Sequence, residues 1–261
     1  MPGAPSLFIS HGSPMLAIED SPARRFLLSL GKTLTRPKAI IVVSAHWETV
    51  GGVAVSLAAQ PETIHDFGGF PAALYQLQYP AAGAAETAER AASLLEAAGF
   101  AVQRKATRGL DHGAWVPLSL MYPDADIPTA QVSLPHNATP AEYFSMGRAL
   151  ASLREDGVLI IGSGSLTHNL YEFSGGPIDA AVPTWVSDFA EWMRLQLRNR
   201  QRDALLDYRA QAPFAARNHP TEEHLTPLFV ALGAAGEGAG AEFLHASYQY
   251  RILAMDMIAF R

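Results

Sequence analysis

"AIIVVSAHWE" (residues 39–48) opens with an apolar run that does not alternate, passes through two small residues and stops on His46. Such a run reads as a strand covered on both faces, and so as part of a sheet with helices on each side. "SLFISHGSP" (6–14) repeats the pattern and ends on His11. In "VLIIGSGSLTHN" (158–169) the apolar run is again unbroken, and His168 follows a few residues later. In open α/β sheets the reactive crevice lies beyond the carboxyl ends of the strands. Three strands that each deliver a histidine towards one edge point to a shared site rather than to three unrelated core histidines. Small residues beside them (Gly12, Ser44, Ala45, Gly162, Gly164) let other groups approach the backbone.

Outward from these runs, weaker strands are expected at 52–57, 100–104, 129–134 and 242–245, with one more in the tail at 248–260. Helical patterns lie between them. Ser21-Pro22 opens one as N-cap and first helical residue, running to about Leu34. The Ala/Glu-rich segment 84–98 stops at Gly99. Thr139-Pro140 opens a third, to about Arg154, and 185 to about 206 is the longest. The fold class is therefore α/β: a single-domain sandwich over 1–261, with a central, largely parallel or mixed β-sheet flanked by helices. No internal repeat and no long linker interrupts it.

Composition sets the outer limits. With 49% hydrophobic and 17% charged residues there is ample material for a core. A net charge of -6 argues against nucleic acid or an anionic membrane as partner. The one basic stretch, 194–209, reads as the solvated face of a helix. There is no cysteine, so disulfides and thiolate metal sites are excluded and any metal falls to His, Asp or Glu. No signal peptide and no membrane span is expected, which makes a cytoplasmic protein the expectation.

Two further segments carry histidines. In "RGLDHGAWVPL" (108–118) His112 is expected in a loop, with Asp111 placed to orient its ring. In "NHPTEEHLTPLF" (218–229) His219 and His224 surround a helix start, capped by Thr221 or by Thr226 ahead of Pro227. His136 and His245 read as surface or structural. "GSGSLTH" (162–168) lacks the Lys-Ser/Thr ending of a P-loop, the third glycine of a dinucleotide fingerprint and the G-x-S-x-G of a nucleophile elbow.

Taken in order, "SLFISHGSP", "VVSAHWE", "HDFGGFP" (65–71), "GLDHGAWVPL", "IIGSGSLTHNL" and "NHPTEEHLTPL" resemble the class III extradiol ring-cleavage dioxygenases, and most of all their 4,5-DOPA dioxygenase-like branch. The matching motifs run from about residue 6 to 230. The resemblance implies one α/β domain with a mononuclear metal in a cleft. It places metal ligands at His11, His46 and His224, with His168 as a further ligand or a catalytic base. It makes His112 a second acid/base group and His65 and Phe70 substrate-binding residues of the cleft. The better-studied catechol enzymes of the class hold iron with two histidines and a glutamate. Here the third position is His224, with Glu222 and Glu223 beside it, the all-histidine pattern of the DOPA-like branch.

The implied function is a metal-dependent extradiol dioxygenase that opens the ring of a DOPA-like catechol with O2. One divalent metal ion per chain is expected, Zn2+ as purified and Fe2+ for the O2 chemistry. The partners are a small-molecule catechol and O2, with no nucleic acid and no membrane, and the chain is a monomer or small homo-oligomer. The rival readings are a zinc-dependent hydrolase and a non-catalytic metal-binding protein on the same fold. A scaffold has no use for an acid/base pair beside the ligands.

Overall fold

The computed structural model describes residues 4–261. Its strands are β1 (Ser6–Ser10), β2 (Ala39–Thr49), β3 (Val53–Ser56), β4 (Val102–Lys105), β5 (Thr129–Pro135), β6 (Val158–Gly164), β7 (Ala241–His245), β8 (Tyr248–Gln249), β9 (Leu253–Ala254) and β10 (Met257–Phe260). Eight of them form one sheet in the order β4-β3-β5-β2-β6-β1-β10-β7, while β8 and β9 pair separately. The centre is parallel: β2 pairs in parallel with β5 and β6, and β6 with β1. Antiparallel contacts flank it, β3 against β5 and β10 against β1 and β7. The sheet is thus mixed.

Helices cover both faces. They are α1 (Pro22–Thr33), α2 (Ala85–Ala97), α3 (His112–Met121), α4 (Pro140–Leu150), α5 (Thr184–Arg198), the short α6 (Arg202–Leu206), α7 (Tyr208–Gln211) and α8 (Ala215–Asn218), and α9 (Thr226–Ala234). Ile41, Val43 and Ile160 point into a core shared with α2, α4 and α9. Ile40, Val42 and Ile161 point into the other core, with α1 and α3. That two-sided burial explains why the strand runs are apolar at every position. Each such side chain is worth about 1.5–3 kcal/mol when fully buried.

Capping follows the sequence in two places. Ser21 Oγ accepts from Arg24 N at 3.1 Å ahead of α1. Thr139 and Glu142 close a reciprocal capping box on α4. Elsewhere the boundaries differ. α4 ends at Leu150 and tightens into a 3-10 turn over Ala151–Arg154. The long helix expected over 185–206 breaks after Arg198, because Arg200 turns to φ 54, a left-handed conformation a helix cannot continue through. The tail supplies three strands where one was expected.

Two features of the sheet set up the site. β2 continues past the expected end at Ala45 to Thr49, but its pairing with β6 stops at Ser44. Against β5, the five residue steps from Val43 to Glu48 span only the two from Val132 to Leu134, so the strand bulges out of the ladder around His46. On β6, a Cβ at Gly164 would lie 2.0 Å from His224 O and one at Gly162 2.1 Å from Pro227 O. Only glycine lets α9 and the residues leading into it sit this close to β6. Ser165 N then donates to His224 O at 2.7 Å, seating His224 over the strand end.

Candidate metal centre and cleft

His11, just past β1, His46, in the β2 bulge, and His224, just ahead of α9, meet at the carboxyl edge of the central strands. Each offers a ring nitrogen, and these nitrogens lie within 4.8 Å of one another. His11 Nε2 and His46 Nε2 are 3.0 Å apart. The opposite edge is hydrogen-bonded in two of the rings and faces a carboxylate in the third. Ser163 Oγ donates to Gly113 O at 2.5 Å, so it accepts from His11 Nδ1–H at 2.9 Å, and His11 Nε2 is left as a bare lone pair. His224 Nδ1 bonds Glu223 Oε1 at 2.8 Å. His46 Nδ1 faces Asp66 Oδ2 at 3.6 Å. Metal-bound histidines characteristically tie down the second ring nitrogen in this way.

The electrostatics agree. Burial, then the neighbouring imidazoles, hold His11 and His224 well below the ordinary histidine value. Burial, then His112, lowers His46 to about 4. Neutral imidazoles with convergent lone pairs suit a divalent cation that accepts nitrogen ligands. The donor set therefore fits the metal that the sequence implies.

His168 stacks face to face on His224, ring centroids 3.6 Å apart and planes within 7°. Burial lowers it to about 4. It shares a second possible ligand group with Glu223 and His224, rather than the first with His11 and His46.

His112 is not in a loop. It is the first residue of α3, with Asp111 as N-cap. Nor does Asp111 orient it. The Asp111 carboxylate turns inward, accepting from Ser44 Oγ (2.6 Å), Gln131 Nε2 (2.8 Å), Arg108 Nη2 (2.8 Å) and Ala114 N (3.3 Å). An N-cap side chain reaches back to the first-turn amides, which draws it away from the next residue's ring. Asp66 does the work instead. Its Oδ1 accepts from both the backbone N–H and Nδ1–H of His112, each at 3.0 Å. Burial pushes the Asp66 carboxyl up, but the hydrogen bond and charge of His112, with His46, outweigh it and hold the group at about 2. Asp66 stays ionised and His112 keeps Nε2 free.

Thr221 does not cap α9. Its hydroxyl donates to Glu223 Oε1, Thr226 is already helical, and Leu225 precedes it without a side-chain cap.

A cavity of about 480 Å³ opens on His46, His112, His168 and His224. Its lining also includes Asp66, Phe67, Phe70, Leu170, Phe173 and Tyr250. Phe70 is thus in the cleft. His65 is one layer behind: Nε2 bonds Leu77 O at 3.0 Å, and the ring leans on Phe67 and Trp115. His136 pairs with Glu48 at the surface and His245 stacks on Phe26, away from the cavity.

A family model described as the catalytic LigB subunit of aromatic ring-opening dioxygenase matches residues 5–260. The chain belongs to this family. It is 45% identical over 261 residues to a 4,5-DOPA dioxygenase extradiol of Beta vulgaris, covering 98% of this chain and 96% of that one. To the protein of the same description from Escherichia coli (strain K12) it is 42% identical over 233 residues, covering 88% and 84%. The crystal structure of an uncharacterized protein from Escherichia coli K12 superposes with a TM-score of 0.81 at 34% identity, covering 99% of this chain and 100% of that one. The chain is therefore an aromatic ring-opening dioxygenase of the extradiol kind. Among the described residues of this dioxygenase, no helix is long and apolar enough to cross a membrane.

Sequence reasoning missed Asp66, although "HDFGGFP" had been singled out; an acid next to a cleft-marked histidine was the available signal. It also missed Ser163, a small polar residue inside an apolar strand. Leu170, Phe173 and Tyr250 carried no signal, because loops distant in sequence bring them to the dioxygenase cleft.

Proposed function

We propose that this chain opens the ring of a catechol with O2 at one divalent metal held by His11, His46 and His224. His168 stands beside them as a further ligand or a base. The observation that carries the reading is the convergence of three imidazoles whose Nδ1 edges face Ser163, Asp66 and Glu223. When bound, Fe2+ supplies the redox chemistry towards O2 that Zn2+ lacks. An all-imidazole site favours Zn2+ over Fe2+ in affinity, so the purified protein is expected to carry zinc.

The chain's own residues supply the rest. His112, held through Nδ1 by Asp66, presents Nε2 to take a proton from a catechol hydroxyl and return it when the ring opens. His168, neutral because it is buried, is the second place a proton can go. Phe70 and Phe67 pack against the aromatic ring and exclude water from it, and His65 buttresses Phe67 from behind. DOPA, the catechol in the relatives' names, belongs among the first substrates tried.

The test is anaerobic reconstitution with Fe2+, followed by O2 uptake and the absorbance of a ring-opened product over a series of catechols. Stoichiometric O2 uptake is expected. A protein that consumes no O2 but hydrolyses esters in its zinc form would be the rival hydrolase.

A further inference from the structure

Ser44 and Ser163 are partners in the last pair of the β2–β6 ladder, and both are fully buried. Each hydroxyl makes two bonds. Ser163 Oγ accepts from His11 Nδ1–H at 2.9 Å and donates to Gly113 O at 2.5 Å. Ser44 Oγ accepts from His46 N at 3.2 Å and donates to Asp111 Oδ1 at 2.6 Å. A hydroxyl has one proton, so giving it to the start of α3 leaves only lone pairs for the histidine side. Asp111 and Gly113 are the residues on either side of His112. Each serine therefore ties one metal-site histidine to the helix start that carries His112. Gly113 completes the fit, because a Cβ there would lie 2.4 Å from Ser44 Oγ and 3.1 Å from His46 Cδ2.

We infer that Ser44 and Ser163 are positioning residues that act as one joint, setting where His112 stands relative to His11 and His46. The inference rests on the catechol reading above and deepens it. Asp66 holds the ring and amide of His112. The serines hold the two flanking residues from the sheet side. Proton transfer is steep in distance, and a misplacement of about 1 Å can cost on the order of 10²-fold. Losing the hydrogen-bond partner behind a metal-bound histidine costs about 10–100-fold in metal affinity or activity.

The test is a double-mutant cycle of Ser44→Ala, Ser163→Ala and the pair. It reads Zn2+ affinity by competition with a chromogenic chelator, thermal melts of the chelated proteins, and kcat and KM of the Fe2+-reconstituted enzymes at saturating metal. Ser163→Ala is expected to weaken Zn2+ binding by about 10–100-fold, because His11 loses the acceptor that keeps its Nε2 bare. Ser44→Ala touches no ligand ring and should weaken it less. Both should lower kcat by about tenfold or more with KM moved by less than about twofold. The pair should lose less than the product of the two, since either break already frees the same helix start. Gly113→Ala probes the joint from the other side and serves if Ser163→Ala does not fold. Its kcat loss should shrink in the Ser44→Ala background, where the hydroxyl it collides with is gone. Lower melting temperatures with wild-type kcat and Zn2+ affinity would make the serines packing residues only and overturn the inference. Losses that multiply in the pair would also overturn it. A wild type that cleaves no catechol overturns the catechol reading instead, and the His112 half of this inference with it; Zn2+ affinity then decides the His11 half.

Discussion

Two buried polar clusters in this molecule contrast sharply. One joins α5 to the corner between β9 and β10. There Arg194 donates through Nε and Nη2 to the two oxygens of Asp256, at 2.7 and 2.8 Å, and through Nη1 to Glu191 and Tyr248. Every nitrogen of the guanidinium has a partner, and Asp256 also accepts Ser10 N through its backbone carbonyl. This cluster closes on itself and fastens the β9–β10 corner to a helix. The imidazole cluster is closed on one side only. His11 and His224 bond Ser163 and Glu223 through Nδ1, His46 turns its Nδ1 towards Asp66, and the remaining nitrogens face one another. A buried network that satisfies itself serves the fold; one that aims several bare lone pairs at a single point serves a ligand.

The contrast breaks most plainly at the metal. His11→Ala should lose the metal and all measurable turnover. Its chelated form should melt near chelated wild type, since the sheet and not the metal supplies the core. Elemental analysis and thermal melts check both halves, and cooperative unfolding of the wild type on chelation alone would show the metal to be structural.

Next comes His112, the proposed acid/base group. His112→Phe should keep the metal and lose turnover by about 10²–10⁴-fold, the usual contribution of a general acid/base group. Metal lost together with activity would make His112 a ligand instead.

The closed cluster should respond in the opposite sense. Asp256→Ala leaves Arg194 buried without its main partner, and breaking such a pair costs about 3–5 kcal/mol. Denaturant melts should report that loss, while the metal content of the folded fraction stays at the wild-type level. Metal loss with unchanged stability would erase the distinction between the two regions.

The most gradual effect is on pH. In chelated protein, burial holds His168 at about 4 and His219 at about 3, both below the ordinary histidine value near 6.5. Below about 6.5 the unfolded chain takes up protons that the folded chain refuses. Stability is therefore full above that pH and falls as the pH drops through the window towards 3–4. The slope is about 1.4 kcal/mol per pH unit for each histidine that stays neutral. A flat stability profile between pH 6.5 and 4.5 would mean that these imidazoles are not buried as described.

Much of the site was legible because its histidines lie close to strand ends. His11 directly follows β1, His46 follows the last β2–β6 pair, and His168 comes four residues after Gly164. Apolar runs without alternation announce two-sided burial, and the crevice beyond strand ends is a property of the architecture. The Ser21 cap and the Thr139–Glu142 box were legible for a similar reason, since their partners lie within one helical turn.

What the sequence determined by itself was thus local or periodic: the strands, the better-capped helices and the histidines at strand ends. Tertiary structure decided everything that depends on contacts across the chain. Asp111 is adjacent to His112 in sequence, yet its carboxylate serves the helix start and the buried Ser44–Gln131–Arg108 cluster. The residue that orients His112 is Asp66, 46 positions away. The β2 bulge around His46, the close approach of α9 to β6 and the aromatic lining of the cleft likewise join segments that no periodicity relates. The physical reason is that backbone hydrogen bonding and capping act over a few residues and leave a repeating trace. A side chain's partner is set by where the packed elements carry it, and that leaves no trace in the local sequence.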